Sequence, residues 1–274
     1  MRILAVLFAI VLPLSALAQT ARTSDLVLDA LQLEQLLVIL RDEAVDSGAE
    51  LAGEDAGARV LEGWRQTLAG LNAPERVGPM MRDTFADALS EEDATAALAF
   101  FGSDIGQELV ALEMSARQAL NDPEVEAAVL SRFEAQASAQ APRIAALEKF
   151  IVTNDLIDSN VLGALNANAA FLQGMREGDP DGARDGLSDD EILSEVWLQE
   201  PEIRASTEDW VRAFLWLAYQ PVSEDDLARY IAFSESGAGQ ALNTALFRAF
   251  DTLFVRTSYQ TGKALSLMLA AQEI

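Results

Sequence analysis

The chain contains no cysteine and no histidine. Without cysteine there is no disulfide, no thiolate nucleophile and no lipobox attachment point for a lipid. Without histidine, Ser-His-Asp and Cys-His catalysis are closed, as are the usual zinc, copper and haem sites. Lysine is almost missing: Lys149 and Lys263 are the only two. Neither stands in a recognisable nucleophile motif, so a Ser–Lys dyad has no foothold. There is no Gly-x-Ser-x-Gly elbow, no Gly-x-x-x-x-Gly-Lys phosphate loop and no strand-led Gly-x-Gly-x-x-Gly. On these grounds no catalytic residue, cofactor-binding residue or metal ligand is assigned, no cofactor is implied, and the chain is read as a non-enzyme.

Long apolar runs are scarce too. The one near the N-terminus follows the basic Arg2 and covers Ile3 to Leu14, broken only by Pro13. Ser15-Ala16-Leu17-Ala18 then supplies small residues at the −3 and −1 positions of a signal-peptidase site. We expect a secretory signal over residues 1–18, cleaved after Ala18 and excluded from the fold. No later run reaches the ~20 apolar residues of a membrane span. The nearest, Ala213 to Tyr219, fits a buried helix. A signal with a disulfide-free body points to the bacterial periplasm, where a core of sufficient size can do without cross-links.

Positive charge is also short. Nineteen basic residues face 44 acidic ones, a formal charge of −25. Such a field repels phosphate backbones and anionic headgroups, which disfavours nucleic acid and membrane surfaces as partners. A cationic partner, a metal ion or plain solubility remain compatible with it. Half the residues are hydrophobic, so this is a folding chain and not an acidic disordered tail.

What is present is a phrase written twice. Phe100-Phe-Gly-Ser-Asp-Ile-Gly-Gln-Glu-Leu109 returns as Phe233-Ser-Glu-Ser-Gly-Ala-Gly-Gln-Ala-Leu242. Shifted by 133 residues, Ser90, Glu91, Asp93, Ala99, Phe100, Ser103, Gly106, Gln107 and Leu109 fall on identical residues, from Ser223 to Leu242. The same shift places Trp64 on Trp197. We read two copies of one unit, residues 25–157 and 158–274. Two copies fit paired domains or one pseudo-symmetric helical bundle.

The unit reads as all-α. Ser90-Glu-Glu-Asp and Ser223-Glu-Asp-Asp put a hydroxyl at an N-cap and acids in the first turn. Asp122-Pro123 places a cap before a proline, Ser188-Asp-Asp-Glu191 is a capping box, and Thr207-Glu-Asp marks another start. Ile105, Leu109, Leu112, Ala116 and Leu120 recur at helical steps, as do Leu242, Leu246, Ala249 and Leu253. No stretch alternates like a half-buried strand. In this frame the repeated phrase is a helix–corner–helix joint. Ser103 and Ser236 cap the second helix, and Gly106 and Gly239 allow close approach at the corner. A glycine in a helical turn costs about 1 kcal/mol relative to alanine, which a tight contact can offset.

Phe-x-Ser-x-x-Gly-Gln after an acid-rich helix start, as at Phe101–Gln107, resembles the domain of unknown function 2059 family, and the phrase from Phe233 to Gln240, with its phenylalanine one residue further from the serine, is read as a second copy. The resemblance covers about 30 residues around each phrase. It implies an exported bacterial helical domain, found singly or in pairs, without an established activity. Family members often carry lysine after the Gly-Gln; Glu108 and Ala241 stand there in this chain.

Three local features bear on function. Glu235-Ser236 resembles the Glu-Ser of lytic transglycosylases, and carboxylates alone can hydrolyse glycans. Against that, the first copy has Gly102 at the corresponding place, and the downstream elements of those enzymes are missing. Residues 179–191 suggest a calcium loop starting at Asp181, with Asp185, Gly186 and Asp189 in place. But Ala183 and Ile192 stand where ligands belong, and Ser188 where an aliphatic residue is usual, so a solvated linker feeding the capping box is the plainer reading. Trp210 to Tyr219 is apolar nearly all round its helix: a core helix, or the wall of an apolar ligand groove. The expected function is interaction or scaffolding with a protein partner in the cell envelope. Small-ligand or calcium binding, and then cell-wall glycan cleavage, are the alternatives.

Overall fold

The computed structural model describes residues 21–53, 57–139, 141–179 and 187–272. Residues 1–18, expected to be a signal segment, and residues 180–186 of the acidic loop lie outside them. The fold is all-α, with no strand among the described residues. In chain order the helices are α1 (Thr23–Ala30), α2 (Leu33–Ala49), α3 (Ala58–Leu71), α4 (Pro74–Ala88), α5 (Glu91–Phe101), α6 (Asp104–Ala119) and α7 (Pro123–Ser138). There follow α8 (Pro142–Thr153), α9 (Leu156–Glu177), α10 (Asp189–Leu198), α11 (Glu200–Tyr219), α12 (Glu224–Glu235) and α13 (Gly237–Gln272).

The starts follow the sequence closely. Ser90 and Ser223 each accept a hydrogen bond from the backbone N–H of the third helical residue, at 3.1 Å in both cases. Asp122 caps Glu124 at 2.9 Å, and Ser188 and Glu191 form the full capping box. Pro74, Pro123 and Pro142 open their helices, where a missing N–H removes no internal bond. Thr207 is a correction: it lies inside α11, which begins at Glu200. Pro201 has already started that helix, and the adjacent Ser206 hydroxyl bonds back to the Ile203 carbonyl, so no cap forms there.

The two joints are built alike. Ser103 and Ser236 accept from the N–H of Gly106 and Gly239 at 3.2 and 3.1 Å. Gln107 donates to the carbonyls of Phe101 and of Ala30, at the end of α1. Gln240 does the same to Ser234 and to Thr153, at the end of α8. After those ends the chain turns through a left-handed residue, Gln32 in one place and Asp155 in the other. The rings of Phe100 and Phe233 then stack on each other, 4.3 Å between centroids and 10° from parallel.

The largest buried core draws on both halves of the chain, with three smaller clusters beside it. It includes Phe85, Leu109 and Met81 together with Leu215, Tyr219 and Leu227. The packing is reciprocal: α6 lies on α11, and α13 lies on α4. Residues 157 and 158, where the 133-residue offset divides the sequence, are both inside α9. No described helix is long and apolar enough to cross a membrane.

A Cβ at Gly106 would collide with the backbone of Phe100 and Phe101, and one at Gly239 with that of Phe233 and Ser234. The close approach expected at the corner is made by the end of the preceding helix. Gly239→Ala is therefore expected to lower stability by about 1–3 kcal/mol despite alanine's better helix propensity. Gly63, exposed in α3 with nothing near its Cβ position, supplies the control: Gly63→Ala should be neutral or stabilising. Chemical denaturation of both variants checks this, and equal effects would mean the corner is not tight.

Candidate functional site

Glu113 is a partly buried acid on the apolar side of its helix. It lies on α6, on the same stripe as Leu109, Ala116 and Leu120, which are all buried. Its carboxyl accepts from two tyrosine hydroxyls, Tyr219 on α11 at 2.6 Å and Tyr230 on α12 at 3.3 Å. Both bonds go to Oε1, and no described residue donates to Oε2. Burial pushes the Glu113 carboxyl above the usual carboxylate range, and the two hydroxyls only partly oppose this. Burial, with the nearby carboxyl, also holds both tyrosines well above their ordinary value, so they remain hydrogen-bond donors.

Several elements fix this arrangement. Arg143, near the start of α8, donates to the carbonyls of Tyr219 and Val222 and to the Glu224 carboxylate, at 2.5, 2.8 and 2.6 Å. It thus holds the C-terminal end of α11, whose carbonyls have no helical partner. Phe150 packs edge-on to Tyr219 and tilted to Tyr230. Phe101 sets its edge against Tyr230 and against Phe233.

Glu113 and the two tyrosines line a cavity of about 190 Å³ whose other walls are largely aromatic and aliphatic. Asn243 and Leu246 of α13 belong both to this cavity and to a groove of about 760 Å³ between α9 and α13, with Leu36 and Leu40 of α2 on its wall. Leu40, Asn168 and Phe254 in turn belong to a further hollow of about 360 Å³. The three hollows adjoin one another along α13 through these shared lining residues. Small residues of α9, Gly163, Ala164 and Ala167, leave the middle one open. Further along, α9 and α13 close on each other: a Cβ at Gly174 or Gly262 would strike the backbone of Tyr259 or Phe171. Polar residues are interspersed along the groove: Ser159, Asn160, Asn166, Asn168, Asn243, Arg248 and Asp251. Asn166 donates to Asp251 at 2.9 Å, and Arg117 is held by Glu43 through two bonds, at 3.0 and 2.6 Å.

The features singled out in the sequence fall elsewhere, with one exception. Glu235 is half-exposed and paired with Lys149 at 2.7 Å. Lys263 sits beside Glu177 and near the Tyr259 ring. Of the acidic loop, Asp189 accepts from Arg176 at 2.8 Å and Glu191 serves the capping box; Asp181, Asp185 and Gly186 lie outside the described residues. Among the described residues no cluster of acids is arranged to hold a metal. The exception is the aromatic helix: Phe214, Leu215 and Tyr219 line the cavity while the helix also serves the core. Glu113 and Tyr230 went unread. The available signal was a carboxylate on the apolar stripe of α6.

Residues 75–133 match one protein-family model. It describes an uncharacterized protein conserved in bacteria (DUF2059). The matched stretch runs from α4 to α7 and contains the first joint and Glu113, but neither tyrosine. No curated protein and no solved structure matches the chain.

The raised Glu113 pKa has a readable consequence. The native state keeps that proton to higher pH than the unfolded chain does. The stability this contributes is complete below the ordinary carboxyl pKa and is lost as pH rises through the raised one. Glu113→Gln, neutral throughout, should therefore gain stability relative to the parent as pH rises above the ordinary carboxyl pKa of about 4. Thermal melts of both proteins across that range test it; a constant difference in Tm would contradict a buried carboxyl.

Proposed function

We propose that this chain is an exported, non-enzymatic binding protein of the periplasm, made of two copies of a helical unit, which holds an elongated apolar molecule along α13. The depression of three adjoining hollows carries this reading. Its middle section falls within the volumes of ligand clefts, roughly 300–1,000 Å³, and its wall combines leucine and phenylalanine side chains with asparagines, Arg117, Arg248 and Asp251 that could orient a ligand. The repeated joints and the stacked Phe100 and Phe233 support the two-copy description. Glycan cleavage draws no support, because Glu235 is engaged with Lys149 on the surface and is not part of the depression.

A neutral apolar dye such as Nile red should bind the mature protein saturably. Gly163→Phe puts a ring where nothing lies within 4 Å of the Cβ position, so it should fill the groove without a backbone clash. We expect it to weaken dye binding by at least about tenfold with little loss of stability. Unchanged binding in a folded variant would remove the groove as the site.

A second reading, interaction with a protein of the cell envelope, has its own observation. Trp64 is 2% exposed, against Leu68 and Leu265, and donates to the Gly48 carbonyl. Its counterpart Trp197 is 61% exposed, beside Leu198 at 78% and with Leu193 one turn away. The exposed Asp190, Glu195 and Glu202 flank them in the chain, which suits a basic amphipathic segment. In-cell crosslinking should capture an envelope protein with the parent and lose it with Trp197→Glu. Capture that survives the substitution would place any partner elsewhere.

A further inference from the structure

The cavity beside Asn243 and Leu246, at the end of the groove away from Gly174 and Gly262, has a chemical character of its own. Its carboxyl oxygen Oε2 has no donor among the described residues, while Oε1 takes both tyrosine hydroxyls. No buried side-chain nitrogen or oxygen is left without a partner among the described residues, so Oε2 is accessible, and Glu113 is among the residues that line the cavity. The same space is faced by Phe101, Phe150, Phe214 and Phe233 in addition to the two tyrosines. Several of these rings stand near perpendicular to one another: Phe150 to Tyr219 at 78°, Tyr219 to Tyr230 at 86°, Phe101 to Tyr230 at 87°. Faces and edges therefore meet in a box rather than a stack.

No protein cation answers this carboxyl. Arg117, one turn along α6, is turned to Glu43 and lies over the Trp210 ring at 5.6 Å. Arg143 is spent on the end of α11 and on Glu224. A carboxylate in an apolar box is unfavourable unless something positive joins it, and aromatic faces attract an organic cation while excluding water. A cavity of about 190 Å³ is several times the ~30 Å³ share of one liquid water, enough for a methylated ammonium group. The groove leading away past Asn243 and Leu246 offers Leu36, Leu40, Leu162, Phe250 and Phe254 to a hydrocarbon tail. The excess of acid over the whole chain draws cations toward it.

We infer that Glu113, Tyr219, Tyr230 and Phe150 form the headgroup subsite for an organic cation, an alkylammonium whose apolar tail lies in the groove. This deepens the groove reading above and rests on it. Titration calorimetry at about pH 8 compares hexyltrimethylammonium with hexanol, the same tail without the charge. The parent should prefer the cation by at least about tenfold. Glu113→Gln should bind the two alike, with hexanol affinity kept. Phe150→Leu, which retains the carboxyl, should lose most of the preference and so guards against a misfolded Glu113 variant. Equal binding of cation and alcohol by the parent overturns the headgroup inference while leaving the groove standing. Binding of neither removes both. A preference that survives Glu113→Gln assigns it to the diffuse surface charge and overturns the subsite.

Discussion

The contact on which the architecture depends is the close run of α13 beside α9. At 1.5 Å per residue, the 36 residues of α13 extend for roughly 54 Å. Helices α3, α4, α5, α9 and α12 all pack on it. The two helices run the same way, since Asn154, Asn166 and Gly174 meet Asn243, Asp251 and Tyr259 in order. At Gly174 and Gly262 the backbones touch, with no room for a side chain on either. That tight end fixes the pair. At the other end the same helices are held by hydrogen bonds from Asn243 and Asn166 over longer reach. The depression between them is therefore a consequence of where the glycines are: closed by Gly174 and Gly262, open where Gly163, Ala164 and Ala167 face the gap.

The repeated joints supply the framework, and the differences between them supply the chemistry. Serine, glycine and glutamine act identically at both corners, because each satisfies the loose ends of one helix with the start of the next. The residues of the candidate site do not repeat. At the 133-residue offset Glu113 corresponds to Leu246 and Tyr230 to Ala97. Leu246 lines the cavity opposite the carboxyl, so one place in the sequence pattern supplies an acid on one side and a hydrocarbon on the other. Trp64 and Trp197 diverge in the same way. The C-terminal part of α13 covers the first through Leu265, while the second stands at the surface.

Most of the fold was legible because its signals are local. Ser90, Ser223, Asp122 and Ser188 satisfy backbone groups within three residues, and such bonds hold whatever the tertiary context. Thr207 misled because a cap residue stops a helix only when the chain bends there, and Pro201 had already begun the helix six residues earlier. The candidate site was not legible, since it depends on three side chains spread over 117 residues of sequence. Glu113 alone is one acid in a chain of many. What distinguishes it is the buried company of Leu109 and Ala116 on its helix, and the helical pattern hides it by alternating charged and apolar positions elsewhere on α6.

The distribution of the site over the chain has a further implication for its origin. The stretch matching the bacterial family model carries Glu113 and the first joint, but both tyrosines and Phe150 come from beyond it. An isolated unit of that kind would leave the carboxyl on a helix face without donors or an aromatic box, where water would solvate it. Enclosure begins only when α11 lies on α6 and brings Tyr219 to the carboxyl, with α8 and α12 adding Phe150 and Tyr230. The reciprocal packing of α13 on α4 then locks the arrangement from the other side. The donors to Glu113, its aromatic neighbours and the cavity in front of it thus come from contacts between helices far apart in the chain.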